Sequence, residues 1–223
     1  KIETHYKNGK KEGLRSSWYE TGEKKRKVHY KNGIEHGIIK EWDEDGQETE
    51  VKKEYWDNGK LKSEIHYKNG KREGLGTWWY ETGKKEQESH FKNGKREGLE
   101  TRWYESGEKL SEVHYREDKR EGFYNSWHGP GKKHQEVLFK EGKAEGLLTT
   151  WYESGRKESE THYKNGKAEG LKTTWYRTGE KFIETPYKNG QVEGLRTLWY
   201  ESGKKELEEQ YKNGKRDGFY KKW

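Results

Sequence analysis

Cysteine and methionine are both absent from the 223 residues, and proline occurs only twice. Without cysteine there is no disulfide framework and no thiolate metal site, and the redox compartment stays open. Without methionine the initiator residue is missing, so the sequence reads as a mature or trimmed piece of a longer product. No apolar run approaches the roughly 20 residues that span a bilayer, and no signal peptide is visible. Hydrophobic residues make up only 26%, against roughly 45–50% in ordinary globular domains, which excludes a thick core. Charge of a single sign is lacking too. The 48 Lys and Arg are interspersed with 41 Asp and Glu, leaving a net charge of +7. That pattern is a weakly basic polyampholyte and not a basic tail. Phosphate loops, nucleophile elbows and zinc signatures are absent as well.

What is present is aromatic and repetitive. The chain holds 11 Trp and 16 Tyr within 40% charged residues, and disordered chains are poor in such rings. Glycines mark turns at Gly9, Gly22, Gly33, Gly46, Gly59, Gly70, Gly83, Gly94 and Gly107, with Asp118 standing in for the next. The series resumes at Gly131, Gly142, Gly155, Gly166, Gly179, Gly190, Gly203 and Gly214. Spacings of 13 and 11 alternate, giving a 24-residue unit, 18 turns and up to 19 strands. Each intervening segment is strand length, too short for a helix and two loops. The sequence therefore predicts an all-β fold of tandem antiparallel hairpins over 1–223, in one continuous array.

Long strands carry Gly, Leu and Trp at fixed places, as in Gly98, Leu99 and Trp103. Short strands end on His-Tyr, as in Val28, His29 and Tyr30. Period-2 alternation puts Leu14 with Trp18 and Val28 with Tyr30. Three-residue turns closed by a glycine bulge, at Thr21-Gly22 and equally at Asn8-Gly9, predict that all four share one core face. His5, Tyr19, His29 and charged residues then take the other face. Residues 47–59 form an extra half-repeat, with Val51 in the Leu place and Tyr55 in the Trp place. One added strand predicts that later Lys-Asn-Gly-Lys turns leave from the opposite edge of the sheet.

The run Tyr67-Lys-Asn-Gly-Lys-Arg-Glu-Gly-Leu75, with Trp103-Tyr-Glu-Ser-Gly107, resembles the variant MORN repeat common in bacterial YwqK-family antitoxins. The resemblance covers nearly the whole chain. It implies an elongated, twisted, single-layer antiparallel sheet, solenoid-like in its repetition, in a bacterial cytoplasm or at a cell surface. It also implies an interaction module whose relatives are linked to membrane lipids and protein assembly.

Candidate chemistry is weighed by repetition. Equivalent histidines (His5, His29, His66, His90, His114, His162) recur every second strand, roughly 10 Å apart, too far to share a zinc ion at ~2.0–2.1 Å. Glu12, Glu97 and Glu145 recur in every unit, whereas catalysis needs one distinctive constellation. No enzyme, metal or cofactor is therefore expected. The Trp row (Trp18, Trp42, Trp79, Trp103, Trp127, Trp151, Trp175, Trp199) is assigned to the core. An outward row of Tyr19, Tyr80, Tyr104, Tyr152, Tyr176 and Tyr200, with Trp78, is the expected contact surface, since Tyr binds at low entropy cost. A basic turn edge holds Lys68, Lys71, Lys92, Lys95, Lys164, Lys167, Lys188, Lys212 and Lys215. The expected function is a non-catalytic scaffold for protein–protein interaction or self-association. The alternatives are a module for anionic lipid or glycan surfaces and a structural subunit of a filament or cell-surface layer. A nucleic-acid partner is disfavoured by the lack of a recognised module.

Overall fold

Two kinds of turn set every strand boundary. At the Asn-Gly turns both central residues take positive φ, 50° and 73° at Asn8-Gly9 and 52° and 78° at Asn165-Gly166. Lys7 opposes Lys10 and Lys164 opposes Lys167, so these are two-residue turns of type I′. This corrects the expected three-residue loop at Asn-Gly. Asn tolerates the left-handed region, and the type I′ twist matches that of the flanking strands. At the Thr-Gly and Ser-Gly turns the three-residue bulged loop is present. Gly22 alone has positive φ there, its N–H donates to Tyr19 O at 3.1 Å, and Tyr19 N–H donates to Glu23 O at 2.9 Å.

The computed structural model describes residues 1–223, which contain strands and no helix. The chain divides into two units, Lys1–Glu108 and Lys109–Trp223. Within each, successive strands pair antiparallel with their neighbours in sequence, and neither unit closes into a barrel. Nineteen strands are present, four of them broken in two, as where Lys10–Lys11 is followed by Gly13–Trp18.

The predicted core face is not formed. Trp18 opposes Lys24, as the three-residue loop requires, but Ser17 opposes Arg26, leaving Lys25 as an extra residue. That bulge undoes the shift the turn introduced. Leu14 then opposes His29 while Val28 opposes Arg15, so Leu14 and Trp18 lie on one face and Val28 and Tyr30 on the other. A second bulge sits at each mid-strand glycine. In the Lys85–Lys92/Lys95–Trp103 pair, Phe91 opposes Arg96 but Ser89 opposes Glu100, around Gly98 at φ 92°.

In the first unit the inserted strand Glu48–Tyr55 has two consequences. Counting reversals from Ile34–Trp42 through Leu61–Lys68 puts the Asn69-Gly70 turn on the edge opposite Asn32-Gly33, as expected. The buried row also changes face. Val28, Tyr30 and Ile39 cluster with Val51, yet Ile65 opposes Lys52, the neighbour of Val51, so Ile65 and Phe91 are buried on the reverse side. A chiral repeat that exchanges its edges while progressing in the same direction must rotate by two-fold symmetry, and that rotation exchanges faces too.

In the second unit the buried row runs through Val113, Tyr115 and Val137, continuing as Thr161, Thr185 and Glu209 at the same repeat position. Tyr124 opposes both Val113 and Val137 and fills the space between them. Burying Val137 contributes about 1.5–3 kcal/mol. With no second layer, the row is covered by cationic stems. Arg120 lies 5.3 Å from the Tyr124 ring and 5.1 Å from Phe139. In the first unit Lys11 covers Tyr30 at 4.9 Å and Arg72 covers Phe91 at 5.2 Å.

Candidate functional site

Most recurring side chains are occupied in joining one repeat to the next. Each Tyr of the expected contact row starts a Ser-Gly or Thr-Gly turn, and five of the six rings reach to the equivalent turn one repeat on. Tyr19, Tyr80, Tyr152 and Tyr176 donate their hydroxyls to the carbonyls of Trp42, Trp103, Trp175 and Trp199 at 2.6–2.9 Å. Tyr200 does the same more loosely, to Trp223 at 3.5 Å. Burial raises the Tyr80 and Tyr176 phenols above their ordinary value. Tyr104 holds the same turn position, its N–H donating to Glu108 O at 2.8 Å. Trp78 leaves the row altogether. It opposes Ser63 and Gln87 and meets Phe91 edge-on at 6.3 Å, in space that Gly76 leaves open.

The Trp rings from Trp18 to Trp199 are half-buried, and Trp42, Trp103, Trp151, Trp175 and Trp199 are each roofed by a lysine from the preceding repeat, as is the more exposed Trp223. Lys133, Lys181 and Lys205 lie 5.7 Å from the Trp151, Trp199 and Trp223 rings. The same ammonium groups pair with Glu136, Glu184 and Glu208 three residues on. At the Asn-Gly edge, Glu12, Glu73, Glu145, Glu169 and Glu193 accept the N–H of Asn32, Asn93, Asn165, Asn189 and Asn213 at 2.6–2.8 Å. These recurring glutamates are turn staples. The histidine row is not gathered into a group with metal-ligand geometry. Residues His128 and His134, outside that row, do meet, with ring centroids 4.3 Å apart. His128 takes the tyrosine's place, its Nε2 2.7 Å from Trp151 O. His134 is held below the usual histidine value by burial and by His128.

Two groups face solvent. One is the basic turn edge. Lysines oppose lysines across the type I′ turns at Lys68/Lys71, Lys140/Lys143, Lys164/Lys167 and Lys212/Lys215. Like charges directly opposed are destabilising. Lys92 opposes Lys95, and Lys188 opposes Gln191. Carboxylates of the repeat are spent on staples and roofs instead.

The other is an apolar stripe that sequence reasoning had placed in the core. In the second unit Phe123, Leu147, Leu171, Leu195 and Phe219 are 41–55% exposed. Each follows a bulge glycine. An added Cβ at Gly122, Gly146 or Gly170 meets nothing within 4 Å, so the bulges leave notches beside these side chains. Leu147 opposes His162, two residues from Lys164, so the lysine pairs border the stripe on the same face. In the first unit the equivalent notch, between bulge glycines Gly13 and Gly37, is a cleft of about 650 Å³. Lys27, His29, Lys31, Ile38 and Lys40 line it. A glycine fixed in mid-strand was the signal available for these bulges.

A search of curated proteins found no match. The MORN repeat variant profile matches residues 11–32, 51–69, 72–93, 96–117, 144–165 and 192–213, more than half of the chain, spread over both units. With its 24-residue hairpins, stapled turns and roofed Trp rows, the chain belongs to the MORN repeat variant family.

Proposed function

We propose that this protein is a non-catalytic repeat scaffold that mediates protein–protein interaction or assembly. One observation carries the reading. The recurring Tyr, Trp and Glu side chains are committed to inter-repeat contacts, while an apolar stripe is left about half exposed to solvent. Repeats of this family are known for protein and membrane interaction, which agrees with a surface and not a pocket as the working part. Chemical cross-linking of the full chain in its native extract, with light scattering of the purified chain, tests the reading. A defined heterologous complex or a concentration-dependent oligomer is expected. A chain that stays monomeric at high concentration and cross-links to no protein would overturn it.

A second reading, a module for anionic lipid or glycan surfaces, is favoured by the opposed lysine pairs of the type I′ edge. It requires binding to acidic vesicles or polymers that weakens steeply with salt. Binding that is absent or insensitive to salt excludes it.

A further inference from the structure

The second unit's apolar stripe and its lysine border have a definite pitch and a definite charge. Phe123, Leu147, Leu171, Leu195 and Phe219 occupy every second strand. Strands lie ~4.8 Å apart, so the stripe repeats every ~9.6 Å. An extended partner strand returns to the same face every ~6.8 Å and falls out of step at once. An α-helix rises ~1.5 Å per residue, so heptad-spaced side chains recur every ~10.5 Å and stay within reach over several repeats. Notches open at that pitch beside Gly122, Gly146 and Gly170, while Pro186 fills the space at Gly194, and the related cleft of the first unit has a volume of about 650 Å³.

Charge selects among helices. Lys140/Lys143, Lys164/Lys167 and Lys212/Lys215 stand on the stripe's own face along one border. On the other border the carboxylates of Glu136, Glu160, Glu184 and Glu208 are already neutralised by lysines three residues earlier. Glu117, Glu121 and Glu141 gather round Lys140, so the uncompensated charge beside the stripe is the positive charge of Lys164/Lys167 and Lys212/Lys215. We infer that this face docks an acidic amphipathic α-helix of a partner protein, its heptad-spaced apolar side chains in the bulge notches and its carboxylates on the lysine pairs. This rests on the scaffold reading and gives it a surface and a partner chemistry.

The test uses the full chain and a labelled synthetic helix of about four heptads, with leucine at the seam and glutamate beside it. Binding is read by fluorescence anisotropy. Leu171→Ser with Leu195→Ser should weaken binding at least tenfold while the thermal transition stays in place, because both side chains are exposed. Lys164→Gln with Lys167→Gln should weaken it and flatten its salt dependence. A version with lysine in place of glutamate should not bind. Three results would overturn the assignment. The first is equal binding of a scrambled peptide, and the second is wild-type affinity in both double variants. The third is no peptide binding while phosphatidylserine vesicles bind with the same dependence on leucine and lysine. If a cross-linked native complex persists in the leucine variant, the scaffold reading stands and this surface alone falls.

Discussion

Lys181 does three things that a second sheet would otherwise do. Its ammonium lies over the Trp199 ring at 5.7 Å, the same ammonium pairs with Glu184 at 2.5 Å, and together they shield the sheet face between them. The same arrangement around Lys133 and Lys205 explains how a chain with so much charge keeps its rings shielded from water. Lys181→Ala should cost about 0.5–1 kcal/mol and shift tryptophan emission to the red, both measurable in a denaturant titration. His134 makes a different point. Its folded-state value lies below its ordinary one, so the unfolded chain binds the proton more readily. Stability is therefore complete above about pH 6.5 and declines as the pH falls through the value His134 has in the fold. His134→Gln should remove that part of the pH dependence, and an NMR titration of the imidazole should report the lowered value directly. Glu209 is wholly buried between Arg196 at 2.9 Å and Arg216 at 2.7 Å. Valine occupies the same place at Val137, where Tyr124 opposes it as Arg196 opposes Glu209. Glu209→Val alone, which leaves Arg196 unpaired, should therefore destabilise the fold in a denaturant titration, whereas Glu209→Val with Arg196→Tyr should change stability by less than about 1 kcal/mol or raise it.

The two turn types divide the work of the hairpin. The type I′ turn fixes register and exposes its lysines. The bulged turn presents a Tyr hydroxyl to the next repeat. Asn165 sits at φ 52°, where β-branched residues fit badly. Asn165→Val should cost about 1–2 kcal/mol, whereas Asn165→Gly should lie within about 0.5 kcal/mol of the wild type. Equal effects of the two in an unfolding titration would mean that the turn is not held in the left-handed region. Turn chemistry was only partly legible in the sequence. The glycine spacing yields the strand count, and the three-residue loop expected at Thr21-Gly22 is present although the shared core face that motivated it is not. Extending that loop to Asn8-Gly9 failed, because Asn itself supplies a second positive φ. The face of each side chain failed for a subtler reason. A turn that shifts parity and a bulge at Lys25 that shifts it back cancel, and only the bulge glycine hints at such irregularity. Leu was consequently read as core and the Tyr row as free surface, and the reverse describes the molecule better.

In the first unit, one inserted strand decides which face the buried row occupies. Its effect on the turn edges was countable from residues 47–59. Its effect on the faces was not, because that depends on the hand of the repeat. Removing the insertion should reverse both effects. Deleting 47–59 joins Gly46 to Lys60 and leaves Ile65 six residues after a turn glycine, the same place that Val113 holds after Gly107. The regular alternation is then restored. Ile38 and Leu75, both exposed, now lie on opposite faces, since Ile38 opposes Lys52 while Leu75 lies on the side of Thr77 and Val51. In the deletion they become neighbouring members of one stripe, two strands apart at the same height, about 9.6 Å from each other. Pyrene attached through Ile38→Cys and Leu75→Cys should show excimer emission in the deletion and none in the full chain. Excimer in both proteins would mean that the insertion never exchanged the faces. Monomer emission from a folded deletion would mean that the hand of the repeat does not govern which face it buries.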